Sequence, residues 1–221
     1  MRRGLLIGVV AVLSACAGGK RYSVDGGSGF QPRSGSRVRV VAATPTIRHD
    51  LDMAAIAKLP EAPRGSRTQG LTLIRRSMSV RRGYSAQSGD GVVTAWLDDI
   101  EIGLSLSPVV IFIPKDYPED SCQYRALLEH EQEHVRLATA MAELAARSMD
   151  DGFAKTPELP SPKRPVVAAR HADAIDALKA AVDRIVDPVY GRFEAELDRR
   201  QAALDEPSTY ERLFSRCDGW K

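Results

Sequence analysis

A chain of 221 residues that is 43% hydrophobic and 27% charged can bury one sizeable core and is too apolar for a disordered, charge-dominated segment. Its formal net charge of +2 excludes the strong positive field of a nucleic-acid-binding protein, so no nucleic acid is expected as a partner. The charge is uneven: residues 16–115 carry 14 basic and 8 acidic side chains, and residues 116–221 carry 15 and 21. The pairs Arg75-Arg76 and Arg81-Arg82 read as a solvated strand face, with binding to anionic lipid or peptidoglycan as the alternative.

Met1-Arg2-Arg3 is a short basic start, and the apolar run over 4–13 is shorter than the roughly 20 residues of a spanning helix. Leu13-Ser14-Ala15-Cys16 then closes it with small residues before a cysteine. This pattern resembles a bacterial lipoprotein signal. The resemblance implies removal of residues 1–15 and acylation of Cys16. With Ala17 next, it also implies a periplasm-facing protein held by lipid, in the outer membrane; two or more acyl chains make a stable anchor. Residues 16–36, with Gly26-Gly27-Ser28-Gly29 and Ser34-Gly35-Ser36, read as a flexible tether, and one domain is expected over 37–221.

Strands are expected over 38–42, 71–80, 92–106 with an interruption near Asp98-Asp99, and 109–114, because apolar alternation there is punctuated by Gly, Ser and Pro. The first half is therefore mainly β. An extended substrate could pair with an exposed edge of that sheet.

The last strand runs through a short acidic loop into a helix carrying His130-Glu131-Gln132-Glu133-His134, an H-E-x-x-H motif. Two histidines four apart share one helix face and can both offer imidazole nitrogen to one Zn²⁺, while the adjacent glutamate can deprotonate a water. At 100° per residue, Leu127, His134, Ala138, Met141 and Ala145, with Leu137 and Leu144 just the other side of His130, form an apolar stripe, and Arg125, Glu129, Gln132 and Arg136 cluster on the opposite side. His130, Glu131 and His134 are thus expected to face inward. Asp120 or Ser121 is placed to cap the first turn.

If Cys16 carries lipid, Cys122 and Cys217 remain, and an oxidising compartment favours a disulfide between them. Residues 151–165 contain four prolines and read as an exposed loop. A second helical region is expected over 166–204, with a break at 188–191. Ile175, Leu178, Val182, Val186, Val189, Phe193 and Leu197 trace its apolar stripe.

A zinc site with two histidines needs a third protein ligand. Glu194-Ala195-Glu196-Leu197-Asp198 resembles the gluzincin pattern, in which a glutamate ligand is followed four residues later by an aspartate supporting a histidine. The resemblance implies Glu194 as the ligand and Asp198 as its supporting partner. His171, which lies within the apolar stripe, is a rival ligand. The layout as a whole resembles an uncharacterised family of predicted secreted zinc-dependent proteases: signal, β-rich half, strand ending in Ile-Pro, H-E-x-x-H helix and C-terminal helix. The last segment of that family is similar to Gln201-Ala202-Ala203-Leu204-Asp205, followed by a Thr-x-His-Gly stretch. Here Ser208-Thr209-Tyr210-Glu211 stands in its place, so either Tyr210 replaces that histidine as a ligand or the site is incomplete.

Together the residues and resemblances imply an α+β, zincin-like fold that binds Zn²⁺. They imply hydrolysis of peptide bonds in a peptide or protein substrate of the envelope, with Glu131 as general base. The alternative is a non-catalytic zinc-binding or envelope-binding lipoprotein on the same scaffold.

Overall fold

The structure, a computed structural model, describes residues 36–62 and 69–220. The expected signal, Cys16 and all of the tether before Ser36 lie outside the described residues. The elements run β1 (Ser36–Ala42), β2 (Thr46–Arg48), α1 (Met53–Ile56), β3 (Leu71–Gly89), β4 (Val92–Phe112), α2 (Cys122–Ala154), β5 (Val166–Ala168), α3 (His171–Leu204) and α4 (Pro207–Phe214). A sheet followed by long helices is the α+β class expected.

β4 is the spine of a five-stranded sheet and pairs with β1, β2, β3 and β5. Asp90 and Gly91, both at positive φ, form the two-residue turn from β3 to β4, a conformation whose twist suits a hairpin. β2 runs parallel to β4, with Ile47 opposite Ile111, and β5 runs antiparallel, with Val167 opposite Thr94. Arg48, opposite Phe112, lies 5.3 Å from its ring centroid.

The expected strand breaks are not breaks. β4 continues through Asp98-Asp99 and through Ser107-Pro108, but its buried side changes phase at both places. Val93 and Ala95 are buried, then Ile100, Ile102, Leu104 and Leu106, then Val109 and Ile111. Burial that moves from odd to even numbers and back means that the covered side of the strand changes along its length, because successive residues point to opposite faces. Asp98 is kept in the strand by the Ser85 hydroxyl, which donates to it at 2.7 Å, and Asp99 occupies the space left by the missing side chain of Gly83.

Two compact units divide the chain. Among the described residues, one comprises 36–39, Met78–Leu104 and Ala145–Gly191; the other comprises 40–62, 69–77, Ser105–Leu144 and 192–220. In the first, Val93, Ala95, Ala174 and Leu178 form the buried cluster, and Arg82 pairs with Asp183. In the second, Ile111, Ile113, Tyr117, Ala126, Leu127 and Leu213 form one cluster and Ile56, Ala62, Leu71 and Phe112 another. Burying a side chain such as Leu127 contributes about 1.5–3 kcal/mol.

The second helical region also differs from expectation. Residues 166–168 are β5, because Val166 and Val167 are β-branched and find β4 as a partner. α3 then runs unbroken through Pro188. Proline removes the bond to the Arg184 carbonyl, but Pro188 and Arg184 are exposed, so water can serve that carbonyl. The stripe faces inward as expected, with Leu178, Val182, Val186, Phe193 and Leu197 all at most 4% exposed.

Candidate metal centre

α2 begins where Ser121 Oγ accepts the Tyr124 amide at 3.1 Å, an N-cap. From there the 3.6-residue period carries Leu127, His130, Glu131, His134 and Ala138 to the buried face, while Arg125, Glu129 and Arg136 are exposed. His130, Glu131 and His134 are 8%, 2% and 6% exposed. The inward-facing motif is therefore as expected. Burying three polar side chains side by side requires partners.

Those partners come from the end of α3 and the residues after it. Asp205 Oδ1 lies 3.3 Å from His130 Nε2 and 3.1 Å from His134 Nε2, and the two imidazole nitrogens are 3.4 Å apart. His134 Nδ1–H donates to Gln201 Oε1, and Gln201 Nε2 donates to the His134 carbonyl at 3.0 Å. With Nδ1–H held by Gln201, loss of the Nε2 proton leaves a lone pair there that a metal can take. His130, His134 and Asp205 are the group of metal-ligating side chains among the described residues. Metal–ligand bonds of about 2.0–2.1 Å in a tetrahedron separate the ligand atoms by roughly 3.3 Å. The three donors already stand at that spacing, so the chemistry and the distances both fit a metal ion held by two imidazoles and one carboxylate.

Burial pushes the Asp205 carboxyl up, but the hydrogen bonds from His130 and His134 outweigh it and hold the group well below the usual carboxylate range. For His134 burial lowers the value, and the Asp205 hydrogen bond with the Glu131 and Asp205 charges reverses this to a net rise. Glu131 is raised by burial, which the nearby histidines and the Thr72 hydroxyl only partly offset. Thr72 Oγ1 donates to Glu131 Oε2 at 2.7 Å. Tyr210 donates to Asp205 Oδ1 at 3.3 Å, with its ring centroid 5.2 Å from that of His130. Burial and the Asp205 charge raise the Tyr210 phenol far above its ordinary value, so it stays a donor.

The third member of the group is Asp205 and not Glu194. Glu194 and Asp205 are eleven residues apart, about 20° in helical phase but some 16 Å along an axis rising 1.5 Å per residue. The expected face is right and the axial position is three turns too early. Asp198 supports no histidine; it accepts from Arg76 at 2.7 Å. His171 belongs to the other unit, at the start of α3, where its ring lies 6.3 Å from that of Tyr84. Tyr210 is at the site, bonded to Asp205. The fourth histidine, His49, is occupied by the carbonyls of Pro114 and Tyr117, 3.1 and 2.9 Å from its Nε2.

Asp205, Gln201 and Thr72 were not foreseen as site residues. Gln201 and Asp205 do carry a signal, an amide and a carboxylate four apart on one face, matching the spacing of the two histidines. Thr72 carries none, being 59 residues from its partner. Cys122 and Cys217 are bridged, with Cα atoms 5.9 Å apart, as expected. Arg216 pairs with Glu129 at 2.6 Å beside the bridge. No protein-family model, curated protein or solved structure matches this chain.

Proposed function

We propose that this protein is a zinc-dependent peptidase, with zinc held by His130, His134 and Asp205 and with Glu131 as general base. The observation that carries the reading is the convergence of three ligand atoms within 3.1–3.4 Å beside a buried carboxylate from the same turn of α2. Zinc bound there supplies Lewis acidity, polarising a peptide carbonyl and acidifying a water.

The residues around it fit the remaining tasks. Glu131, raised by burial, takes a proton from the attacking water and passes it to the leaving amine. Tyr210, kept protonated beside Asp205, can turn its one proton from Asp205 to the oxygen on which negative charge develops. β3 pairs with β4 alone among the described strands, which leaves an edge along which an extended peptide can lie. The Leu13-Ser14-Ala15-Cys16 pattern supports a lipid-anchored, periplasm-facing enzyme acting on envelope peptides or proteins.

The test is Glu131→Gln, which keeps the volume and removes the base. Cleavage of unfolded casein by the purified protein should fall by about 10²- to 10⁴-fold while zinc content is unchanged. Equal rates in wild type and variant refute the reading. Two zinc-loaded proteins that both fail to cleave make it a binding protein instead.

A further inference from the structure

The opening of β3 grips the carboxylate of Glu131. Thr72 Oγ1 is 2.7 Å from Glu131 Oε2 and 3.1 Å from the Glu131 carbonyl oxygen; a hydroxyl has one proton, so the shorter contact is the donation. Two residues earlier, a Cβ at Gly70 would stand 2.6 Å from Glu131 Oε1 and 3.2 Å from the carboxyl carbon. Gly70 is not at a positive φ, so what glycine provides there is space.

The segment bearing these two residues is itself fixed. Gln69 is 2% exposed, and its Oε1 accepts the hydroxyl of the equally buried Tyr117 at 3.0 Å. Leu71 is packed with Ile56, Ala62 and Phe112. Four consecutive residues are thus an anchor, a gap, a second anchor and a donor. A surface hydroxyl that happened to meet a carboxylate would have no such support behind it.

We propose that residues 69–72 position the general base: Thr72 holds one oxygen of Glu131, and Gly70 leaves the other the room to meet the water it deprotonates. This rests on the peptidase reading above. A glutamate on a helix has three rotatable side-chain bonds, and a base misplaced by about 1 Å can cost on the order of 10²-fold in rate. Among the described residues a hydroxyl donor meets Oε2 and none is seen on Oε1, which assigns the two oxygens different tasks, Oε2 as anchor and Oε1 as base. Thr72 and Gly70 are positioning residues in this scheme, acting on substrate only through Glu131.

The experiment compares Thr72→Val, Thr72→Ser and Gly70→Ala with wild type and Glu131→Gln in the full-length protein. Casein cleavage by Thr72→Val and Gly70→Ala is expected to lose about 10- to 100-fold in kcat. KM and zinc content should stay within about twofold, and Thr72→Ser should recover most of the rate. A second arm replaces zinc with Co²⁺ and reads the visible absorption, which reports what surrounds the ion without turnover. Thr72→Val should shift the band as Glu131→Gln does, and Thr72→Ser should keep the wild-type band. A Thr72→Val protein with the wild-type band and rate overturns the positioning role even if peptidase activity is intact. If wild type shows no chelator-sensitive cleavage, the peptidase reading fails. The cobalt bands then decide positioning alone: a shift in Thr72→Val supports it and an unchanged band overturns it.

Discussion

Gln201 governs how His134 presents its lone pair. By accepting from Nδ1 and donating to the His134 carbonyl, it sets both the tautomer and the ring angle before any metal arrives. Gln201→Ala should therefore weaken zinc binding by about 10- to 100-fold, the usual loss for a residue behind a ligand. Asp205→Ala, which removes a donor atom and a charge, should weaken it more, and competition with a chromophoric chelator measures both. The metal-free protein should also show a pH signature. His134 is raised above its ordinary 6.5, so its pairing with Asp205 stabilises fully below that value and is lost as pH rises through the raised one. Asp205, depressed from 3.8, stabilises above that value and loses its contribution as pH falls through the lowered one. The pair thus stabilises apo protein most between those two ordinary values. Zinc must displace the His134 proton, so its affinity should rise with pH through the region above 6.5. Zinc titrations between about pH 5.5 and 8.5 check this, and a flat profile contradicts it. The three motif residues were legible because spacing within one helix fixes their geometry. Glu131's partners were not, because a contact between β3 and α2 depends on packing that no local period encodes.

At the scale of elements, two 3.6-residue stripes were readable and proved correct in phase, Leu127, His134 and Ala138 on α2 and Leu178, Val186 and Leu197 on α3, except that Leu144, at the edge of the first, is 49% exposed. What failed was punctuation. Asp98-Asp99, Pro108 and Pro188 resemble stops, yet β4 absorbs two of these sites by changing phase, and α3 carries the third on its exposed side. β2 and β5 are three residues each and owe their strand state to β4, so their own sequence carried little warning. The disulfide ties the first residue of α2 to a residue just beyond α4 across a separation of 95. The covalent loop contains His130, His134, Asp205 and Tyr210. Removing both sulfurs by Cys122→Ser with Cys217→Ser should cost roughly 2–5 kcal/mol, the range for long loops. Chemical denaturation with and without a thiol reductant measures it: reductant should shift the wild-type midpoint and leave the double variant where it is.

For the whole molecule, the donors of the metal centre and the residues that hold Glu131 are drawn from distant stretches of chain, near 70, 130 and 205. Contacts of such sequence separation form late and together, because loop closure must precede them. Zinc uptake should therefore report completion of the fold. Zinc in excess should raise the unfolding temperature, by an amount that grows with the logarithm of its free concentration over its dissociation constant, as for any ligand of the native state alone. A zinc-independent melting temperature in a zinc-binding preparation would mean that folded and unfolded chain hold the ion equally well, and a lowered one that it prefers the unfolded chain.

The two compact units change over at Arg39–Val40, Ser77–Met78, Leu104–Ser105, Leu144–Ala145 and Gly191–Arg192, and each of these points lies inside β1, β3, β4, α2 or α3. Separable domains usually meet at exposed linkers, where a protease can cut or a gene can be trimmed without harm. Here every changeover sits within hydrogen-bonded backbone, so a contiguous fragment holding all of one unit necessarily includes much of the other. Truncation from either end should give no intermediate length that stays folded, and limited proteolysis should pass from nearly intact protein to small peptides. To its evolution the same arrangement imposes indivisibility: this chain can be copied, fused or lost as a whole, but neither unit can be shuffled away alone.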